Sequence, residues 1–491
     1  MNSSNDIKIH FSHYFDVDPT LLHAYGAFNI SLINDLPLFI DPFLLFNSQN
    51  EEYRNLHDRM IEYLRFLRDK SIAGQITPGL IGAWFTFTEV KQTWLGFSQV
   101  GNEGRGLGDD FAFSLSRNLR TVFSSFGDER VTKGSHLEKL TLIEDGVGRD
   151  KISDFTTVLI KEYLLRYTQE FAKSNIRSEF AKSFAVPKVR FNYMTESWES
   201  ASFDLPYYEN NYVILTPRDM LTKDDTWINK TDLINDYDHI VQALPNEQLR
   251  DQLNNYLFQV LPKDATAKEK REAINLAIRR YPQYLEYYIL HKEERGDVAV
   301  SISEEKVAWS ENLFVEQVRE LVSRLQQYTN FYELIGDTFT EAKKRAEFLK
   351  DVIENKGGWR LLYVDGKPVT RESDLHILYR LTWFATPSDV SREVNDGRGP
   401  ADFKISRGGI DKTIVEFKLA RNSQLKRNLG KQVDIYKKAS DADKDLKVIL
   451  YFTESEYERV IDILRDLGIE GDPSIILIDA RSDNKPSASK A

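Results

Sequence analysis

ADFKISRGGIDKTIVEFKLA, residues 401–420, decides how this chain is read. ADFKIS (401–406) and TIVEFKLA (413–420) are strand-forming runs joined by RGGIDK, whose glycine pair suits a tight reversal. With the turn centred near Gly409, Asp402 lies seven residues before it and Glu416 seven after. In an antiparallel pair these two stand opposite each other, with their side chains on one face. Opposed carboxylates repel, and a purely structural hairpin avoids them. A divalent cation between them reverses the sign of the interaction, and hard oxygen ligands suit Mg²⁺, with Mn²⁺ as a substitute. Strand alternation places Lys418 on the same face as Glu416, with Phe417 on the other. An ammonium there can hold a water or stabilise charge growing on a phosphate. These are the parts that phosphodiester hydrolysis needs.

The flanking sequence supplies a setting. RESDLHILYRLTWF (371–384) reads as a helix and VSREV (390–394) as a strand. QLKRNLGKQVDIYKKA (424–439) is helical, KVILYFT (447–453) a strand, ESEYERVIDILRDLG (454–468) a helix and SIILIDA (474–480) a strand. The first three strands are close enough for hairpins and the later ones are separated by helices, so a mixed sheet with helices on both faces is expected. On the helix 424–439, Leu425, Leu429, Val433 and Tyr436 form an apolar stripe, and Gln432 borders it. Between Phe403 and Lys438 there are ten positive and three negative residues, in a chain whose net charge is -11. An acidic chain contacts polyanions only through such a local basic surface.

Pro400-Ala401-Asp402 followed by Glu416-Phe417-Lys418 resembles the PD-(D/E)xK motif of restriction-endonuclease-like nucleases, with the proline two residues before the aspartate rather than one. The resemblance covers about residues 365–480. It implies a metal-dependent nuclease in which Asp402 and Glu416 bind Mg²⁺, the Phe417 carbonyl joins them, and Lys418 positions the attacking water. It further implies an acidic residue on the preceding helix (Glu372, with Asp374 as fallback) and a glutamine on the following one, Gln432. Arg398, Lys404, Arg421, Lys426, Arg427 and Lys431 become the expected nucleic-acid contacts, DNA being favoured over RNA. Proteins that join such a nuclease to an unrelated region often act in defence against foreign nucleic acid. Two rival readings remain: an inactive nuclease fold that only binds nucleic acid, and a structural protein that assembles through its helical middle. DFK and EFK taken alone also suit an exposed hairpin face, and charge runs are usually solvated.

The rest of the 491 residues is less specific. Cysteine is absent, which removes disulfides, thiolate metal sites and a thiol nucleophile and fits a cytoplasmic setting. No apolar run approaches the 18 or so residues of a membrane helix, and MNSSNDIKIHF lacks a signal-peptide pattern. The expected class is a mixed α/β multidomain chain. An α+β N-terminal regulatory region (1–231) precedes a helical connector or bundle (232–338), a restriction-endonuclease-like αβββαβ core (339–482) and a polar tail (483–491). ISDFTTVLIKEYLLRYTQEFAK (152–173) reads as one helix capped by Ser153 or Asp154. GNEGRGLG (101–108) reads as a surface loop, Glu89-Val90-Lys91 as an isolated tripeptide without an opposed aspartate, and His10/His13 as no metal site. A homo-oligomer and an activating ligand or protein are compatible with this organisation.

Overall fold

The strands on either side of residues 408–410 pair antiparallel in the register expected of them, and the C-terminal sheet is built around that pair. The computed structural model describes residues 9–485 apart from 33–34, 97–106, 120–122, 124–125, 128, 144–146, 224, 262–265, 318–336, 356–357, 365–366, 370–371, 373–374, 377–378, 380–381, 384–388, 396–399, 408–410 and 431–443. Five strands, β1 (Asp389–Asn395), β2 (Pro400–Arg407), β3 (Asp411–Leu419), β4 (Lys444–Tyr451) and β5 (Ile475–Asp479), lie side by side in sequence order. β1, β2 and β3 pair antiparallel, whereas β3–β4 and β4–β5 are parallel. The short connections make hairpins and the longer ones make crossovers, as chain length requires.

Helices cover both faces. On one face α1 (Thr338–Asn355) lies across β2 to β5, burying Ala342, Ala346 and Leu349 with Phe403, Val415 and Phe417. On the other, residues 425–430 and α2 (Glu454–Asp466) enclose Leu425, Leu429, Ile449, Val460 and Leu464. From Thr413 to Leu419, β3 is buried at every position, as a central strand covered on both sides must be. α1 is pinned electrostatically. Asp337 accepts from Thr340 N at its start, and Asp411 of β3 accepts from Thr338 N at 2.9 Å. Further along, the buried Glu341 accepts from Arg345 (2.7 Å) and from Arg407 of β2 (2.7 Å), while Arg345 donates to the Thr382 carbonyl. This network fixes α1, β2 and the chain leaving residue 379 relative to one another.

Among the described residues the middle segment carries the helices Lys230–Asn235, Tyr237–Ala243, Glu247–Val260, Ala267–Arg280, Tyr284–Glu293 and Gly296–Glu311, and the expected helical run over 318–335 lies outside them. Its core of Leu233, Ile240, Leu253, Ile274 and Tyr288 takes in Phe43 and Leu142 from the N-terminal region. The last of these helices packs on the N-terminal strand Leu221–Lys223, and Arg218 pairs with Glu311 at 2.6 Å. The N-terminal region mixes helices with short strands and one long antiparallel hairpin, Ala181–Asn192 with Ser197–Tyr208, which carries an irregularity between Val186 and Arg190. The single helix expected over 152–173 is two, Arg149–Leu159 and Lys161–Asn175, hinged at Ile160. The first is capped at Gly148, so Ser153 and Asp154 lie inside it, and Ser153 Oγ instead accepts from Ile40 N at 2.8 Å. Among the described residues no helix is long and apolar enough to cross a membrane.

Candidate active site on the C-terminal sheet

The β2–β3 register runs Asp411↔Arg407, Thr413↔Ile405 and Val415↔Phe403. One step further it sets Asp402 opposite Glu416, where the ladder between the two strands ends. Phe417 N–H, released from the ladder, donates to Asp402 Oδ2 at 2.6 Å. The Lys418 ammonium lies 3.4 Å from Asp402 Oδ2 and 3.5 Å from Glu372 Oε2. Glu372 Oε1 also accepts from Leu419 N (3.2 Å) and Asn422 Nδ2 (2.9 Å). Asp402, Glu416, Lys418 and Glu372 thus come together where two strands part.

Burial and charge divide the two opposed carboxylates. Burial alone would raise the Asp402 carboxyl, but His376, Lys418 and the Phe417 N–H outweigh it and hold it at about 2. Glu416 is pushed up to about 7, first by burial and then by the Asp402 charge, against the opposing pull of Lys418. Only 5% of Glu416 is exposed. Lys418 is buried, which favours its neutral form, yet Asp402, Glu416 and Glu372 raise it above its ordinary value. A low-dielectric pocket therefore holds one firmly ionised carboxylate, one that gains from a cation, and a fixed ammonium.

That donor set fits a hard dication such as Mg²⁺. Glu416 is buried, and the charge of Asp402 opposes its ionisation. Among the described residues no group of three or more His, Asp and Glu is arranged to hold a metal. Two carboxylates suit an ion that keeps most of its shell for water and phosphate oxygens.

The expected nucleic-acid contacts divide. Lys404 lies on β2 two residues after Asp402, and Arg427 is exposed on the short helix. Lys426 pairs with Asp466 at 2.8 Å. Arg421 lies over the Phe452 ring with Glu456 at 3.4 Å. Gln432, Lys431, Arg398 and Asp374 lie outside the described residues.

Three contributors were missed by sequence reasoning. His376 Nε2 is 3.4 Å from Asp402 Oδ2, and its ring lies edge-on to Phe403 and Phe417. Its i,i+4 spacing from Glu372 was the available signal. Asn422 bonds Glu372, and its place just before a helix start was the corresponding clue. Lys447 of β4 pairs in register with Glu416 and forms an ion pair with Asp445 at 3.1 Å.

Comparison with protein families finds two similarities. Residues 16–229 match a domain of unknown function (DUF8370). Residues 338–454 match a second domain of unknown function (DUF8371). The second match starts at the first residue of α1 and takes in all the site residues above, ending at the start of α2. No curated protein and no solved structure matches the chain.

Proposed function

We propose that the C-terminal sheet carries a metal-dependent nuclease of the PD-(D/E)xK class, which hydrolyses phosphodiester bonds of DNA or RNA. The observation that carries this reading is the β2–β3 register, which puts Asp402 and Glu416 opposite each other with Lys418 alongside. The mixed sheet, three antiparallel strands continued by two parallel ones, supports it. Asp402 and Glu416 would hold Mg²⁺, which when bound supplies a Lewis acid for the scissile phosphate. Lys418, anchored between Asp402 and Glu372, directs an N–H toward the attacking water or the developing phosphorane oxygen. Glu372 keeps that ammonium charged and in place. Asp402 and Phe417 N–H lock the strand separation that leaves room for substrate. The local surplus of basic residues supplies the polyanion surface.

The N-terminal region and the helical middle would gate or target this activity, since an unrestrained nuclease would damage its own host. A role in defence against foreign nucleic acid follows from the same resemblance. The test is incubation of the purified chain with double-stranded DNA, single-stranded DNA and RNA, with and without Mg²⁺, comparing wild type with Lys418→Ala. Mg²⁺-dependent cleavage by wild type alone supports the reading. Binding without cleavage would favour an inactive nuclease fold, and absence of salt-dependent binding would favour a structural role.

A further inference from the structure

Glu372 does not reach Lys418 unaided. The turn that follows β3 is built to hold it. Asn422 uses both ends of its side chain: Nδ2 donates to Glu372 Oε1 at 2.9 Å, and Oδ1 accepts from Gln424 N at 2.9 Å. The second bond satisfies a backbone donor at the entry to the helix over 425–430, as a capping residue does. The turn is clamped from the opposite side. Arg459 of α2 donates through Nη1 to the Ala420 carbonyl (2.6 Å) and through Nη2 to the Asn422 carbonyl (2.9 Å). Asn422 N–H itself donates to the Leu419 carbonyl at 2.9 Å, closing the turn. A planar guanidinium forked across two carbonyls fixes direction as well as distance.

We propose that Asn422, braced by Arg459, is a positioning residue that sets the Glu372 carboxylate against Leu419 N–H and the Lys418 ammonium. The chain of contacts runs from α2 through Arg459 to the turn, through Asn422 to Glu372, and from Glu372 to Lys418 at 3.5 Å. Its catalytic consequence rests on the nuclease reading; its geometric consequence does not. α2 thereby becomes part of the site without touching substrate, because its Arg459 holds the turn that carries Asn422.

The discriminating variant is Asn422→Asp. It has nearly the same shape and keeps an acceptor for Gln424 N, so the helix cap survives. It replaces the donor facing Glu372 with a carboxylate oxygen, which repels it. Partners of this outer kind typically contribute roughly 10- to 100-fold to activity. Asn422→Asp is expected to lower kcat by that factor with little change in KM for nucleic acid, in a chain whose fold is retained by circular dichroism. Arg459→Lys, which reaches one carbonyl but not two, is expected to lie between it and wild type. A second measurement is independent of cleavage. In competitive acetylation read by mass spectrometry, Lys418 of Asn422→Asp should label several-fold faster than in wild type, because Glu372 no longer screens it. An unaltered Lys418 labelling rate, or wild-type kcat in Asn422→Asp, would overturn the proposal. A wild type that cleaves nothing but shows the labelling difference would instead overturn the nuclease reading and leave the positioning role standing.

Discussion

On the proposed reading, the two opposed carboxylates would make Mg²⁺ binding a proton-release reaction, and its size follows from their environments. Asp402 is held at about 2 and stays ionised across the working range, so it releases no proton. Glu416 is raised to about 7, chiefly by burial, and a cation must displace its proton below that pH. With one group titrating near 7, about nine-tenths of Glu416 is ionised at pH 8 and about one-tenth at pH 6. Mg²⁺ affinity should therefore fall about tenfold between pH 8 and pH 6, about 1.4 kcal/mol. Isothermal titration calorimetry in two buffers of different ionisation enthalpy reads the proton count directly. About 0.9 proton per ion should be released at pH 6 and about 0.1 at pH 8. The stability sign agrees. The folded-state value of Glu416 lies above its ordinary 4.5, so its contribution is fully present below pH 4.5 and is lost as pH rises through about 7. A bound cation offsets that loss, so Mg²⁺ should raise the thermal midpoint more at pH 8 than at pH 6. A pH-independent affinity with no proton released at pH 6 would refute the reasoning.

Other perturbations test other parts of the account. Glu341→Gln leaves the fully buried Arg345 without its carboxylate and should cost about 3–5 kcal/mol in urea unfolding of the C-terminal unit, as breaking a buried pair does. Asp154 is pushed up to about 8, by burial first and then by Asp150, Glu89 and Asp35. Its stabilisation is present below pH 3.8 and lost as pH rises through about 8, so Asp154→Asn should flatten the fall in thermal midpoint between pH 6 and pH 9. Removing the exposed Arg427 should reduce the slope of log K against log salt for nucleic-acid binding by about one, with little effect on cleavage at saturation. Lys426→Ala should reduce it less, because its ammonium is already paired with Asp466 at 2.8 Å.

The site was legible where side-chain periodicity fixes geometry. A period of two and a turn centred on Gly409 determine which residues stand opposite, and the observed register keeps that alignment. Glu372 was named only through the resemblance, as first choice over Asp374. His376 and Asn422 were not, since each reaches the site through tertiary placement. One comes from a helix that packs on Phe403, the other from a turn clamped by Arg459, some 37 residues further on. The N-terminal fold was harder to read for local reasons. The long hairpin 181–208 carries Pro187 in its first strand, and its tip, Tyr193–Glu196, lacks glycine. Lys188 and Glu196 instead adopt positive φ of 50° and 49°, which side-chain preferences argue against. The break at Ile160 was hidden because buried apolar residues continue across it: Val158, Ile160, Leu164 and Leu165.

The central claim is that Asp402 and Lys418 serve phosphodiester cleavage rather than the fold alone. It is tested most directly by turnover of nucleic acid in Mg²⁺ by wild type and by the Asp402→Asn, Lys418→Ala double variant, with folding checked by circular dichroism. The account predicts rapid cleavage by wild type, abolished by chelation, and a loss of at least roughly 100- to 1000-fold in a folded double variant. Cleavage by the double variant at the wild-type rate, or wild-type cleavage that persists unchanged without divalent cation, would contradict it.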